Sequence, residues 1–397
     1  MTEQGIGKKT VRDIEVSGKR VLLRADLNVP MENGVVTDDT RIRESLPTLK
    51  YLLDHGAKVI VCSHLGRPKG VDPAFSLAPV AGRLGNLLGR EVFFVDDCVG
   101  PVAEAAVRAT DGRFPVLLEN LRFYPEEEAN DKGFAGQLAS LADVYVNDAF
   151  GSAHRAHAST EGVTHFLPAV AGLLMEKEVR YLSALVANPP KPFAAVVGGA
   201  KVSTKIAAIE HLLPKLDMLF LGGGMANTFL KATGVNVQAS LVEDEQVETA
   251  KRIIAEAKSA GVATYLPVDV VAADKFAADA TAVTVPANAV PAGNMILDIG
   301  PESVANYAAA LATAKAVVWN GPMGVFEMEK FAEGSLGLAR AIAGLDAVTV
   351  VGGGETAAVV GLSGMTARFT HVSTGGGASL EMLEGRVLPG VAALLDA

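Results

Sequence analysis

The chain repeats a form rather than a sequence: short apolar runs rich in β-branched residues, each ending in glycine or a polar cluster and followed by a segment of helical period. That alternation is the signature of parallel α/β units, in which the ends of successive strands gather on one edge of a sheet. In the first half the strand candidates are RVLLRADLNVP from Arg20, AKVIVCSHLG from Ala57, EVFFVDD from Glu91, PVLLENLRF from Pro115 and ADVYVNDAFG from Ala142. In the second half they are FAAVVGGAK from Phe193, MLFLGGG from Met218, ATYLPVDVV from Ala263, AVVWNGP from Ala316, AVTVVGGG from Ala347 and THVSTGGG from Thr370. One helix shows the logic between strands. Asp39 or Thr40 can cap it, Ile42, Leu46, Leu49 and Leu53 repeat at three to four, and Gly56 supplies a left-handed stop.

A length of 397 residues exceeds what one core usually serves. Two doubly wound, Rossmann-like parallel-sheet domains are therefore expected. Their boundary is AGLLMEKEVRYLSALVANPPKP, a helical stretch closed by Pro189, Pro190 and Pro192. This places a first domain at 1–171, a hinge helix at 172–188 and a second domain at 189–380.

Charge narrows the function. A net charge of −10 argues against coating a polyanion, so no nucleic acid is expected and any anion site must be local. The opening MTEQGIGKKTVRDIEV has no apolar stretch of a secretory leader, and the apolar run from Phe166 to Met175 is too short to span a bilayer. With two cysteines, Cys62 and Cys98, the expectation is a soluble cytoplasmic protein with no membrane role. His154 and His157 lack the third ligand of a zinc site. The acidic run Glu126 to Glu128 reads as a solvated surface.

Against this acidic background, Arg24, His64, Arg67, Arg122 and Arg155 stand at or just past strand ends, and Arg41 opens the helix after the first strand. Guanidinium groups gathered on one edge repel one another unless an anion fills the space between them, so a small, multiply charged substrate follows. In the second half, Lys201 and Lys205 in GGAKVSTK have i, i+4 spacing and read as one face of a helix at its positive end, a phosphate site. No Walker A loop is present. GGGETAA, Gly352 to Ala358, matches a dinucleotide fingerprint but lacks the later acidic ribose partner, which leaves an NAD-dependent oxidoreductase as an alternative.

Taken in order, RADLNVP, SHLGRP, LLENLRFYPEEE, NDAFGSAHRAHAS, GGAKVSTK, LGGGMANTF, LDIGPES, WNGPMGVFE, GGGETAA and STGGGASLE resemble the phosphoglycerate kinase family over essentially the whole chain. The resemblance implies reversible phosphoryl transfer between 1,3-bisphosphoglycerate and ADP, giving 3-phosphoglycerate and ATP. It also implies a monomer that bends at its hinge, with a tail from about residue 381 to 397 returning to the first domain. On the glycerate side it implies Asp26, Asn28, Arg41, His64, Leu65, Gly66, Arg67, Arg122 and Arg155. On the nucleotide side it implies Lys201, Lys205, Asn320, Glu327, Gly353, Gly354, Glu355 and Thr356. Arg41, Lys205, Gly375 and Gly376 would act on the moving group. The family more often has Asp where Glu355 stands, at the carboxylate that meets the Mg²⁺ carried by the nucleotide. A non-catalytic sugar-phosphate binding protein remains a further alternative.

Overall fold

A computed structural model describes residues 6–397; residues 1–5, part of the opening read above for a leader, lie outside the described residues. The chain divides into two compact units. One runs to Arg180 and takes back Val387–Ala397, and the other is Tyr181–Arg386. The division falls inside the Leu173–Ala187 helix.

In the first unit six parallel strands lie in the order Phe93–Val95, Val116–Leu118, Lys58–Cys62, Arg20–Arg24, Val144–Asn147 and Ala169–Ala171. The Ala169–Ala171 strand was not anticipated, because three residues behind Pro168 leave too little pattern to read. Val21, Leu23, Val59, Val61, Val144 and Val146 pack on one face against Leu49, Leu52, Val80 and Leu84 of two helices. Leu22, Ile60 and Tyr145, which alternate with them, are equally buried, so both faces are covered as a parallel sheet requires. The Thr40–Asp54 helix forms as expected and Gly56 adopts φ +76°, but Asp39 does not cap it. Its carboxylate instead pairs with Arg43, at 2.7 Å, and with Arg83. The chain terminus is tied in by Lys8, which donates to the carbonyls of Ala392 and Leu394, and by Asn147, whose amide donates to the Gly390 carbonyl at 3.1 Å.

The second unit has its own six-stranded parallel sheet, ordered Ala263–Tyr265, Met218–Leu221, Phe193–Val197, Ala316–Asn320, Val348–Gly352 and His371–Val372. Here ATYLPVDVV is not one strand but two. Pro267 lacks the donor a ladder needs, and Asp269–Ala273 leaves to join a three-stranded antiparallel sheet with Ala282–Pro286 and Met295–Ile299. Trp319 is fully buried and donates Nε1 to the Gly321 carbonyl at 2.8 Å, among Val196, Phe220, Tyr307, Leu338 and Val359.

At the carboxyl edge of this sheet three glycine turns touch backbone to backbone. Gly199 donates its N–H to the Pro322 carbonyl at 2.8 Å, Gly223 to Met323 at 2.9 Å, and Met225 to Gly199 at 3.0 Å. A Cβ at Gly198 would stand 2.2 Å from the Pro322 oxygen, and one at Gly321 would stand 2.2 Å from the Gly198 oxygen. Neither obstacle is a side chain that can swing away. Gly198→Ala is therefore expected to lower stability by about 3 kcal/mol or more, the upper range for overpacking. Gly361→Ala, in an open helical position, should instead raise it by roughly 0.5 kcal/mol. Urea unfolding midpoints of the two variants check both signs.

Candidate active site

The first unit links most of its expected residues through direct bonds. Arg24 of the first strand is level with Cys62 and Asn147 of its neighbours, so the residues that follow these three emerge on one edge. Arg41 donates Nη1 to both oxygens of Asp26, at 3.0 and 3.1 Å. Asp26 Oδ1 accepts from the Asn28 N–H at 3.2 Å, and Asn28 Oδ1 accepts from the Gly66 N–H at 2.8 Å. Arg122 donates Nη1 to the Gly66 carbonyl at 2.7 Å and pairs with Glu128 at 3.2 Å. Arg67 and Arg155 are exposed, Arg155 donating Nε to His154. His64 is buried, and its imidazole is held well below its ordinary pKa by burial and then by Arg24, Arg122 and Arg41. A neutral imidazole ringed by guanidiniums suits a ligand carrying more than one negative charge.

Arg24 departs from the expectation of an edge cation facing an anion. It is 1% exposed and donates to Ser159 Oγ at 2.8 Å, to the Ala25 carbonyl at 2.6 Å and to His64 Nδ1 at 3.0 Å. Each of its three nitrogens thus has a partner, as a charge that deep requires, because an unpaired one is costly. Glu127 corrects a second expectation. The acidic run is not wholly solvated, since Glu127 is fully buried and accepts from the Ser159 backbone at 2.9 Å and from its hydroxyl at 2.5 Å.

Sequence reading also passed over Asn120. Its Oδ1 accepts from Leu65 and Arg122, and its Nδ2 donates to the carbonyls of Leu65 and Phe75, which fixes the loop carrying Leu65, Gly66 and Arg67. The available signal was an amide at the end of an otherwise apolar strand.

In the second unit Lys205 donates Nζ to Asn320 Oδ1. Burial lowers the lysine's pKa, while Glu355 and Glu384 nearby oppose the shift. The helix begins only at Ile206, so Lys201 and Lys205 lie in the turn before it, contrary to the helical face expected. Within that turn Ser203 donates its N–H and its hydroxyl to Glu243, at 3.0 and 2.6 Å. Gly352 and Gly353 come so near Asn320 that a Cβ on either would meet its Nδ2 at 3.3 Å. Gly353 has φ +92° and introduces the Gly354–Leu362 helix, where Glu355 is exposed in the first turn and Thr356 Oγ1 accepts from the Gly321 N–H at 2.7 Å. Gly375 donates to Ser373 Oγ at 3.0 Å, and Gly376 has φ +52°. Glu327 is exposed and makes no hydrogen bond or ion pair with these groups among the described residues. A lysine beside backbone N–H groups at a helix start is a phosphate-binding arrangement. The strand after GGGETAA ends in Ser373 and Thr374, with no acid to hold a ribose.

Comparison with known proteins agrees with this geometry. The phosphoglycerate kinase family profile matches residues 11–386. The phosphoglycerate kinase of Moorella thermoacetica is 59% identical over 392 residues, spanning 98% of this chain and all of that one. The cytosolic phosphoglycerate kinase of Triticum aestivum is 57% identical over 401 residues, spanning both chains fully. Among solved structures, the phosphoglycerate kinase of Coxiella burnetii superposes with a TM-score of 0.88 at 43% identity, covering 97% of this chain and 98% of that one. With its motifs, both sheets and these relatives in agreement over nearly its full length, the chain belongs to the phosphoglycerate kinase family.

Proposed function

We infer that the chain catalyses reversible transfer of a phosphoryl group between the acyl phosphate of 1,3-bisphosphoglycerate and ADP, yielding 3-phosphoglycerate and ATP in glycolysis. The observation that carries the assignment of residues is the bonded series Arg41, Asp26, Asn28, Gly66 and Arg122 in one unit, matched by the Lys205–Asn320 pair beside glycine turns in the other. On this reading the first unit binds the glycerate phosphate and the second binds the nucleotide. Buried, free cysteines suit work in the cytoplasm, and the enzyme is taken to act as a monomer.

Phosphoryl transfer needs little covalent help. Its loose transition state wants in-line alignment and positive charge on the equatorial oxygens. Asp26 aims the Arg41 guanidinium through two bonds, so that charge is set before the substrate arrives and needs no reorganisation during reaction. Arg67, Arg122 and Arg155 hold the remaining charges of the glycerate, with His64 as a neutral donor. Asn320 restrains the Lys205 ammonium in the same way, and Gly375 and Gly376 offer backbone N–H groups.

Glu355 fits a magnesium role, because an exposed carboxylate is the hard oxygen donor that ion takes. Among the described residues no group of three or more metal-ligating side chains stands together, so the ion would draw its other ligands from phosphates and water. When bound, magnesium neutralises charge on the nucleotide phosphates.

A coupled assay of ADP formation from ATP and 3-phosphoglycerate, run with and without magnesium, tests the whole reading; absence of turnover with the metal present would overturn it. Arg41→Ala should lower kcat by about a hundredfold or more, the scale of one preorganised donor, while KM for 3-phosphoglycerate changes much less. Steady-state kinetics separate the two, and a rise in KM alone would show that Arg41 serves binding only. Lys205→Ala should remove about 2 to 4 kcal/mol of transition-state stabilisation, read from kcat/KM with ADP varied. Unchanged turnover there would mean the transferred group sits elsewhere.

A further inference from the structure

The buried charges under the first half-site exceed what holding a loop requires. Arg24 and Glu127 are both buried, they do not bond each other directly, and the Ser159 hydroxyl stands between them. Arg24 donates to that hydroxyl, so its one proton must pass to Glu127 Oε1; Oε2 accepts the Ser159 N–H. Both Glu127 oxygens therefore accept, which is the pattern of a carboxylate. The far edge of the same guanidinium meets His64 Nδ1 at 3.0 Å. Arginine has no acceptor, so that ring nitrogen must be the one without a proton.

We propose that Arg24 is a positioning residue, which, aimed by the Ser159 hydroxyl and the Glu127 carboxylate, locks His64 as the neutral tautomer with its proton on Nε2, the donor left for a bound anion. This rests on the reading that His64 belongs to the glycerate site. The groups that face His64 act the same way: Arg24 from the first strand, Arg41 from the following helix, Arg122 from the turn after the Val116–Leu118 strand and His157 all disfavour a charged ring, on top of its burial. Burial leaves the Glu127 carboxyl above its ordinary range, with Arg24, both Ser159 bonds and Arg122 opposing that rise, so its charge state is read from the two accepting oxygens. The device solves a specific difficulty. Burial and the nearby guanidiniums disfavour a charged His64, and an unfixed neutral ring would offer an anion a lone pair in one of its two tautomers. A fixed tautomer offers a donor every time.

The test is long-range ¹H–¹⁵N NMR of the imidazoles in the full chain. His64 should show a proton on Nε2 alone from pH 8 down to pH 5 and should shift when 3-phosphoglycerate is added. Ser159→Ala, which frees the guanidinium without removing a charge, should give a mixture of tautomers and raise KM for 3-phosphoglycerate about tenfold with kcat within about twofold, the scale of one buried charge-assisted bond. Arg24→Met should go further and let the ring titrate; Ser159→Ala serves should that variant fail to fold. A proton on Nδ1 in the unaltered protein, an imidazolium at pH 6, or a Ser159→Ala enzyme with unchanged tautomer and KM would overturn the proposal. A locked Nε2–H ring that ignores 3-phosphoglycerate in an active enzyme would leave the lock standing and overturn the placement of His64 in the site.

Discussion

A parallel strand covered on both faces meets ligands only at its ends, and that restriction organises both units. Polar residues at those ends are themselves mostly out of water, so each must find partners among its neighbours before any donor is left for a ligand. Asn28, Asn120, Asn320 and Thr356 each bond a loop that follows another strand, and Asp26 bonds Asn28 of its own loop and Arg41 of the next helix. The edge is thus built of mutual satisfaction, and the groups that remain over are aimed by the ones already spent.

The anion sites proposed for the two units are built by different means. The first relies on guanidiniums, whose repulsion is relieved by Asp26, Glu128 and carbonyl oxygens at short range. The second sets glycine turns and a helix N-terminus beside the Lys205 ammonium, which Asn320 restrains, so backbone dipoles add to its positive charge. A rigid fork suits a carboxylate and phosphate held in one orientation, whereas backbone N–H groups suit the repeated oxygens of a polyphosphate.

Most of this was legible in the chain. Strands from Arg20, Ala57, Pro115, Phe193 and Ala316 declare themselves by apolar runs ending in polar or glycine clusters. What escaped reading depends on contacts distant in sequence. Glu127 resembles its exposed neighbours Glu126 and Glu128 until the loop with Ser159 closes over it. Arg24 has the same chemistry as Arg41, and only burial, which the pattern does not report, sets the strand residue apart from the helix residue. Lys201 and Lys205 carry helical spacing, but the helix starts only at Ile206, after a turn whose Ser203 is bonded to the distant Glu243. Pattern reports the period of an element well and its burial poorly, because burial is set by what folds over it.

The touching glycine turns of the second unit carry a consequence for how such an enzyme can diverge. Where main chain rests on main chain with no room for a methyl group, there are no side chains to exchange, and the floor of the proposed nucleotide half-site offers selection almost nothing to work on. Exchange of side chains is open instead at exposed positions such as Glu355, the residue after Gly354.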